Sequence, residues 1–141
     1  MKRFVIITLF LIGLISCRQE PEQVIMTVLG PIQASELGIS LTHEHVLVDF
    51  IGADSTGYHR WDKQEVIETV LPYLTELKEY QVSAFMECTP AYLGRDPWIL
   101  KSLSNKSGMH LLTNTGYYGA HGNLFIPSER LELTADELAQ I

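Results

Sequence analysis

Cysteine is scarce in this chain. There are two, Cys17 and Cys88, in 141 residues. Basic residues are outnumbered, with 10 Lys and Arg against 17 Asp and Glu and a formal charge of -7. An acidic balance offers no basic patch to phosphate backbones, so nucleic acid is not an expected partner. No strand–helix junction carries a phosphate-binding glycine fingerprint, which argues against a nucleotide site. No apolar run reaches the roughly 20 residues a permanent membrane helix needs. Internal repeats and low-complexity segments are absent as well. With 46% of residues hydrophobic, the chain has the composition of one soluble globular domain rather than of a disordered tail.

The amino terminus is the exception. "MKRFVIITLFLIGLIS" places Lys2 and Arg3 before an apolar run from Phe4 to Ile15, the pattern of a secretory signal. Its end, Leu14 to Cys17, resembles the lipobox of bacterial lipoproteins, where cleavage precedes the cysteine and the thiol is acylated. The expected organisation is a lipoprotein signal peptide over 1–16, a polar tether over 17–23 with Cys17 lipidated, and a folded domain over 24–141. An ordinary signal or an uncleaved anchor is the plainer alternative. The expected location is that of an exported, membrane-anchored lipoprotein, in a bacterial periplasm or on a cell surface. Cys88 then has no disulfide partner; within the apolar "VSAFMEC" it reads as a small buried hydrophobe.

Strand and helix signals alternate along the domain. "VIMTVLG" is β-branched and apolar, Gly30-Pro31 breaks it, and "PIQAS" reads as a turn before "LGISLTHEH" resumes a strand; a small β-hairpin is expected here. Asp62 with Glu65 three residues on is a capping-box pattern. Val66, Ile67, Val70, Leu71, Leu74 and Leu77 then follow at helical spacing, with Pro72 expected to kink or restart the helix. "QVSAFMECTP" reads as a strand that puts Phe85 and Glu87 on one face, Met86 and Cys88 on the other. Asp96, Pro97 and Gly108 are the cap, first residue and stop of a second helix. "MHLLTNTGYYG" is a further strand, and Thr134 with Glu137 opens a last helix. Met26, Met86 and Met109 read as core, Trp61 and Trp98 as packing anchors at helix starts. The order is that of βαβ units on a parallel sheet, with His, Tyr, Asn and Gly collected in the loops after the strands.

One of those strand ends carries "LTHEH". Residues i and i+2 of a strand share a face, so His43 and His45 project together and Glu44 opposite. Two neutral imidazoles one pleat apart can hold a cation such as zinc, although such a site needs further ligands; two polar residues bonded to the next loop are the bland alternative. His59 and His121 read as exposed loop histidines and His110 as structural. Glu87 is assigned a structural or supporting role at the end of its strand.

Over Val24 to Ile141 the chain resembles the phosphotriesterase family of the amidohydrolase superfamily. The resemblance rests on "TVLGPIQASELGISLTHEHVLVD", on "VLPYLTELKEYQVSAFMECTPAYLGRD" with its "GRD" helix start, and on "LLTNTGYYG", in that order. It implies the N-terminal portion, the first three βα units, of a (β/α)8 TIM barrel preceded by a small β-hairpin. It also implies a binuclear, usually zinc, centre of which His43 and His45 are two ligands, and it makes Tyr118 a substrate-pocket residue. Expected substrates are small-molecule esters, lactones or phosphoesters, with the metals polarising the reacting oxygen and activating water. A homodimer is among the expected assemblies. The family's other ligands, a bridging carboxylated lysine or glutamate, two histidines and an aspartate, come from later strands. A whole barrel takes about 250 residues. The expectation is therefore an N-terminal fragment or truncated product with negligible hydrolysis of its own. The alternative is a lipid-anchored module that binds metal or ligand without turning it over.

Overall fold

The computed structural model describes residues 23–141; the expected signal peptide, the expected lipidation site Cys17 and all of the expected tether but Gln23 lie outside the described residues. An antiparallel hairpin opens the chain, β1 (Val24–Thr27) against β2 (Gly30–Gln33). The hairpin is where the sequence predicts one, but its turn is not at Gly30-Pro31. Thr27 pairs with Gly30, so Val28 and Leu29 make the bend, and Pro31–Gln33 is strand rather than turn. The Thr27 hydroxyl closes it by donating to the Gly30 carbonyl at 2.7 Å and accepting from Leu29 N–H at 3.2 Å. Met26, expected in the core, stands on the outside of this hairpin, 69% exposed.

The main sheet is parallel, in the order β3 (Ile39–Glu44), β4 (Val82–Glu87), β5 (His110–Thr113). Helix α1 (Lys63–Glu79) connects β3 to β4 and α2 (Pro97–Ser107) connects β4 to β5. Three one-turn helices follow: α3 (Ala120–Asn123), α4 (Ser128–Leu131) and α5 (Ala135–Leu138). At the start of α1 the Asp62 carboxylate accepts from the N–H groups of Gln64 and Glu65. Asp96 does the same for Trp98 and Ile99, with Pro97 in the first turn and Gly108 ending α2 in the left-handed conformation. Of the two capping boxes the sequence predicts, the one at Thr134 and Glu137 forms in full, and a further one closes at Gln33 and Glu36. Pro72 neither breaks nor restarts α1, which is continuous from Lys63 to Glu79. The proline lies on the exposed side of the helix, where water can satisfy the carbonyl it leaves unpaired.

The core lies between the two helices and one face of the sheet. Ile67 and Leu74 from α1 meet Ile99 and Leu103 from α2, Val82 and Phe85 from β4, and Met109 and Leu111 at β5. Trp61 packs against this cluster as expected. Trp98 does not; it is 55% exposed, and its ring lies under the Lys63 ammonium at 5.3 Å. The opposite face of the sheet is open. Strands joined by crossover helices on one side, with loops gathered beyond the strands' carboxyl ends, are the repeating unit of a (β/α)8 barrel. The described residues supply three such strands.

Candidate metal centre

A bulge builds the site. Between Leu41 and Glu44 the register slips: Leu41 lies opposite Phe85, yet Glu44 lies opposite Glu87, so β3 spends three residues where β4 spends two. Without the slip Leu41, His43 and His45 would share a face. With it, Leu41 packs against the core cluster while both histidines line a cavity of about 350 Å³ on the open face of the sheet. Their rings are 5.3 Å apart between centroids and nearly perpendicular.

Val48, Phe50, Pro90, Leu93, Tyr117 and Tyr118 supply most of the remaining wall. Tyr118, which the resemblance makes a substrate-pocket residue, is one of these lining residues, 44% exposed and stacked on Phe125 at 5.6 Å. Tyr117 shares the wall and stacks on Tyr92 at 6.0 Å. Cys88, expected as a buried hydrophobe, is half-buried and lines the same cavity. The alternation of β4 explains it: Phe85 faces the helices and joins the core, which turns Cys88 to the open face.

Glu87 shares the helix side with Phe85 and is 2% exposed. Its Oε1 accepts from Thr89 N–H at 3.1 Å and from Val46 N–H at 3.4 Å, and Thr113 Oγ1 lies 3.5 Å from Oε2. Burial raises its pKa, against the bonds from Thr89 and Val46 and the charge of His45, which lower it. Thr89, fully buried, lies between this carboxylate and the site, its Oγ1 3.0 Å from His45 Nδ1. Sequence reading missed Thr89; a hydroxyl two residues beyond the strand end, and two from an acid already singled out, was the available signal. His59 and His121 are exposed as expected, but His59 sits in a one-turn 3-10 helix (Tyr58–Arg60) and His121 in α3 rather than in loops; His110 opens β5.

The loops that frame the cavity lock onto each other through backbone. Asp49 N–H donates to the Leu93 carbonyl at 2.7 Å. Gly94 has φ +117°, and a Cβ there would stand 2.9 Å from the Leu47 carbonyl, so the glycine of "GRD" is required by close approach. Asp49 also takes Arg60 Nε at 2.5 Å and Thr56 Oγ1 at 2.9 Å.

Two imidazoles on one cavity wall, one steadied through its far nitrogen, suit a divalent cation of the zinc kind. They are half a tetrahedral set. Among the described residues no group of three or more His, Cys, Asp or Glu side chains is gathered to hold an ion. Fold and site together define the opening portion of a parallel α/β barrel with a paired-histidine site at the carboxyl end of its first strand.

Comparison with known proteins narrows this class. The phosphotriesterase family model matches residues 23–140. An N-acetyltaurine hydrolase of Salmo salar is 29% identical, covering 67% of this chain and 35% of that protein. A phosphotriesterase-related protein of Aedes aegypti is 27% identical with the same coverage. Among solved structures, the organophosphorus hydrolase of Deinococcus radiodurans superposes with TM-score 0.57 at 28% identity, over 73% of this chain and 32% of that one. A triple mutant of the same enzyme gives 0.62 at 26% identity, over 69% and 30%. The chain belongs to the phosphotriesterase family, and it spans about a third of the length of the relatives it matches.

Proposed function

We propose that this chain carries the first-strand half of the metal centre of a hydrolase, with His43 and His45 as ligands and zinc as the resident cation. The observation that carries the reading is their convergence on one cavity at the carboxyl end of β3. A cation bound there, completed by further ligands, supplies a Lewis acid for the reacting carbonyl or phosphoryl oxygen and lowers the pKa of water. The chain's own residues do the rest. Phe50, Leu93 and Tyr118 give the cavity a mainly apolar wall that suits the body of a small neutral substrate. Asn114 lines the same cavity, with its Oδ1 engaged by Gly116 N–H at 3.1 Å, and orders the loop that presents Tyr117 and Tyr118.

The substrate class is a small-molecule ester, lactone or phosphoester; the relatives' names add an amide, N-acetyltaurine, and an organophosphorus compound. Two imidazoles leave a tetrahedral ion two ligands short, so this chain alone is assigned negligible turnover. The second reading, a lipid-anchored module that holds metal without catalysis, is favoured by that same ligand count. Acylation of Cys17, export and a homodimer complete the proposal.

Zinc titration of the full chain tests it. The wild type binds, and the His43→Ala/His45→Ala variant loses at least about tenfold in affinity. Equal affinities would mean that the H-x-H pair is incidental. Metal-dependent ester, lactone or phosphotriester hydrolysis by this chain, lost in His43→Ala, would overturn the assignment of negligible turnover. For the anchor, Cys17→Ala is expected to abolish partition into detergent or membrane.

A further inference from the structure

A second cavity lies beside the histidine one, and we propose that it binds a small organic acid, a single carboxylate on a flat apolar body. Its volume is about 340 Å³, at the lower end of the range for small-molecule sites, about 300 to 1,000 Å³. Tyr58 and Trp61 line it from the segment before α1, Tyr92 and Arg95 from the loop after β4, and Tyr117 from the loop after β5, with Ile141 beside them. Of the residues that line the histidine cavity, Tyr117 alone lines this one too. Its ring, stacked on Tyr92 at 6.0 Å, is therefore the wall the two cavities share.

The walls are aromatic and come in two pairs. Tyr58 meets Trp61 edge to face at 5.9 Å, while the rings of Tyr92 and Tyr117 lie 30° from parallel; such faces suit a flat ring or a short hydrocarbon. Tyr92 stands there at φ +63°, a left-handed conformation that a residue with a Cβ keeps only where its surroundings hold it. The one charged side chain in this lining is Arg95, which is half-buried. Its Nη1 donates to the Asn114 carbonyl, so the guanidinium reaches across from the β4 loop to the loop that carries Tyr117. That bond occupies one of five N–H donors and leaves the charge unbalanced. Among the described residues Arg95 has no carboxylate partner; the ion pairs formed are Arg60 with Asp49 and Lys63 with Asp96. A half-buried guanidinium left unpaired in a chain of formal charge -7 is a charge that an anionic ligand would satisfy. Its planar fork matches a carboxylate through two parallel hydrogen bonds. One positive charge also calls for a monoanion rather than a doubly charged phosphate.

Benzoate is the probe, titrated into the metal-free full chain while the indole N–H signals of Trp61 and Trp98 are followed by NMR and told apart with Trp98→Phe. Trp61 lines the cavity, whereas Trp98 stands outside its lining, with its ring 5.3 Å from the Lys63 ammonium. The expected result is a saturable shift of Trp61, with a Kd of about 1 mM for so small a molecule, and an unmoved Trp98. Benzamide, the same body without the charge, is expected to bind at least about tenfold more weakly, and Arg95→Gln to lose at least about tenfold in benzoate affinity. His43→Ala/His45→Ala should bind benzoate as the wild type does. A Trp61 signal that does not saturate, or that moves together with Trp98, would mean an anion gathered at Lys63 on the surface and would overturn the proposal. Equal affinity for benzamide would do the same, since the guanidinium then selects nothing. Binding that is lost in the double histidine variant and kept in Arg95→Gln would place the carboxylate in the histidine cavity instead. Should Arg95→Gln fail to fold, the wild-type comparison of benzoate with benzamide at Trp61 still decides. No arm depends on a bound cation, so failure of the metal-centre reading would leave this site standing.

Discussion

Asp49 shows how one side chain ties the loop after β3 to the site beside it. Burial pushes its pKa up, but the Arg60 and Thr56 hydrogen bonds and the Arg60 charge outweigh that and hold it below the usual value of 3.8. A carboxylate depressed on folding contributes stability that is fully present above its unfolded pKa and is lost as pH falls through the folded one. With side-chain exposures of 12% for Asp49 and 35% for Arg60, the pair is worth about 1 kcal/mol at most. Asp49→Asn is therefore expected to melt a few degrees below wild type at neutral pH, and the gap should close as pH drops below about 4. A gap that persists unchanged into acid would mean the aspartate acts through packing instead. At this scale the sequence was readable where chemistry is local. His43 and His45 could be paired from their spacing alone. The facing of Leu41 and the place of Thr89 beside His45 could not, because one depends on a register slip against β4 and the other on a contact 44 residues away.

Helix boundaries were legible because caps are local physics. Asp62, Asp96, Gly108 and Thr134 each act within a turn of their own position. The hairpin turn was misplaced for the opposite reason: Gly30-Pro31 carries a strong turn signal, but pairing across β1 and β2 makes it the start of a strand. Two predictions belong here. Asp96 is 4% exposed and, besides capping α2, takes Trp61 Nε1–H at 3.2 Å and Lys63 Nζ at 2.9 Å, joining the starts of α1 and α2. Asp96→Ala loses the cap and strands those donors, a combined cost of about 3 kcal/mol, measurable by urea titration. A loss under about 1 kcal/mol would mean that the Trp61 and Lys63 contacts contribute nothing. Pro72→Ala should go the other way. It restores a hydrogen bond inside a helix that is already continuous, and after allowing for the proline's restriction of the unfolded chain the gain is about 2 kcal/mol. A loss of stability would show that the proline ring packs against something the exposed helix face does not reveal.

Across the whole molecule, the alternation of strand and helix signals dictates a parallel sheet, because a crossover helix returns the chain in the same direction. The strand order β3-β4-β5 follows from the shortness of the connections. What the pattern could not show is how unevenly the sheet is covered. The face toward α1 and α2 is buried, whereas the histidine face is open, and among the described residues neither β3 nor β5 has an outer partner strand. The start of β5 is partly shielded, since Val28 N–H donates to the Leu111 carbonyl at 2.9 Å. The outer side of β3 has no comparable cover, and Ile39 at its start is 57% exposed. Unpaired backbone beside an apolar side chain favours strand-to-strand association. The purified chain is thus expected to associate with rising concentration in light-scattering chromatography. Ile39→Lys places a charge on that edge and should move the onset to higher concentration without changing zinc affinity, since His43 lies further along the strand. If Ile39→Lys associates as readily as wild type, the contact does not run through the β3 edge; the open face around Val48 and Phe50, 41% and 61% exposed, is then the surface to alter next.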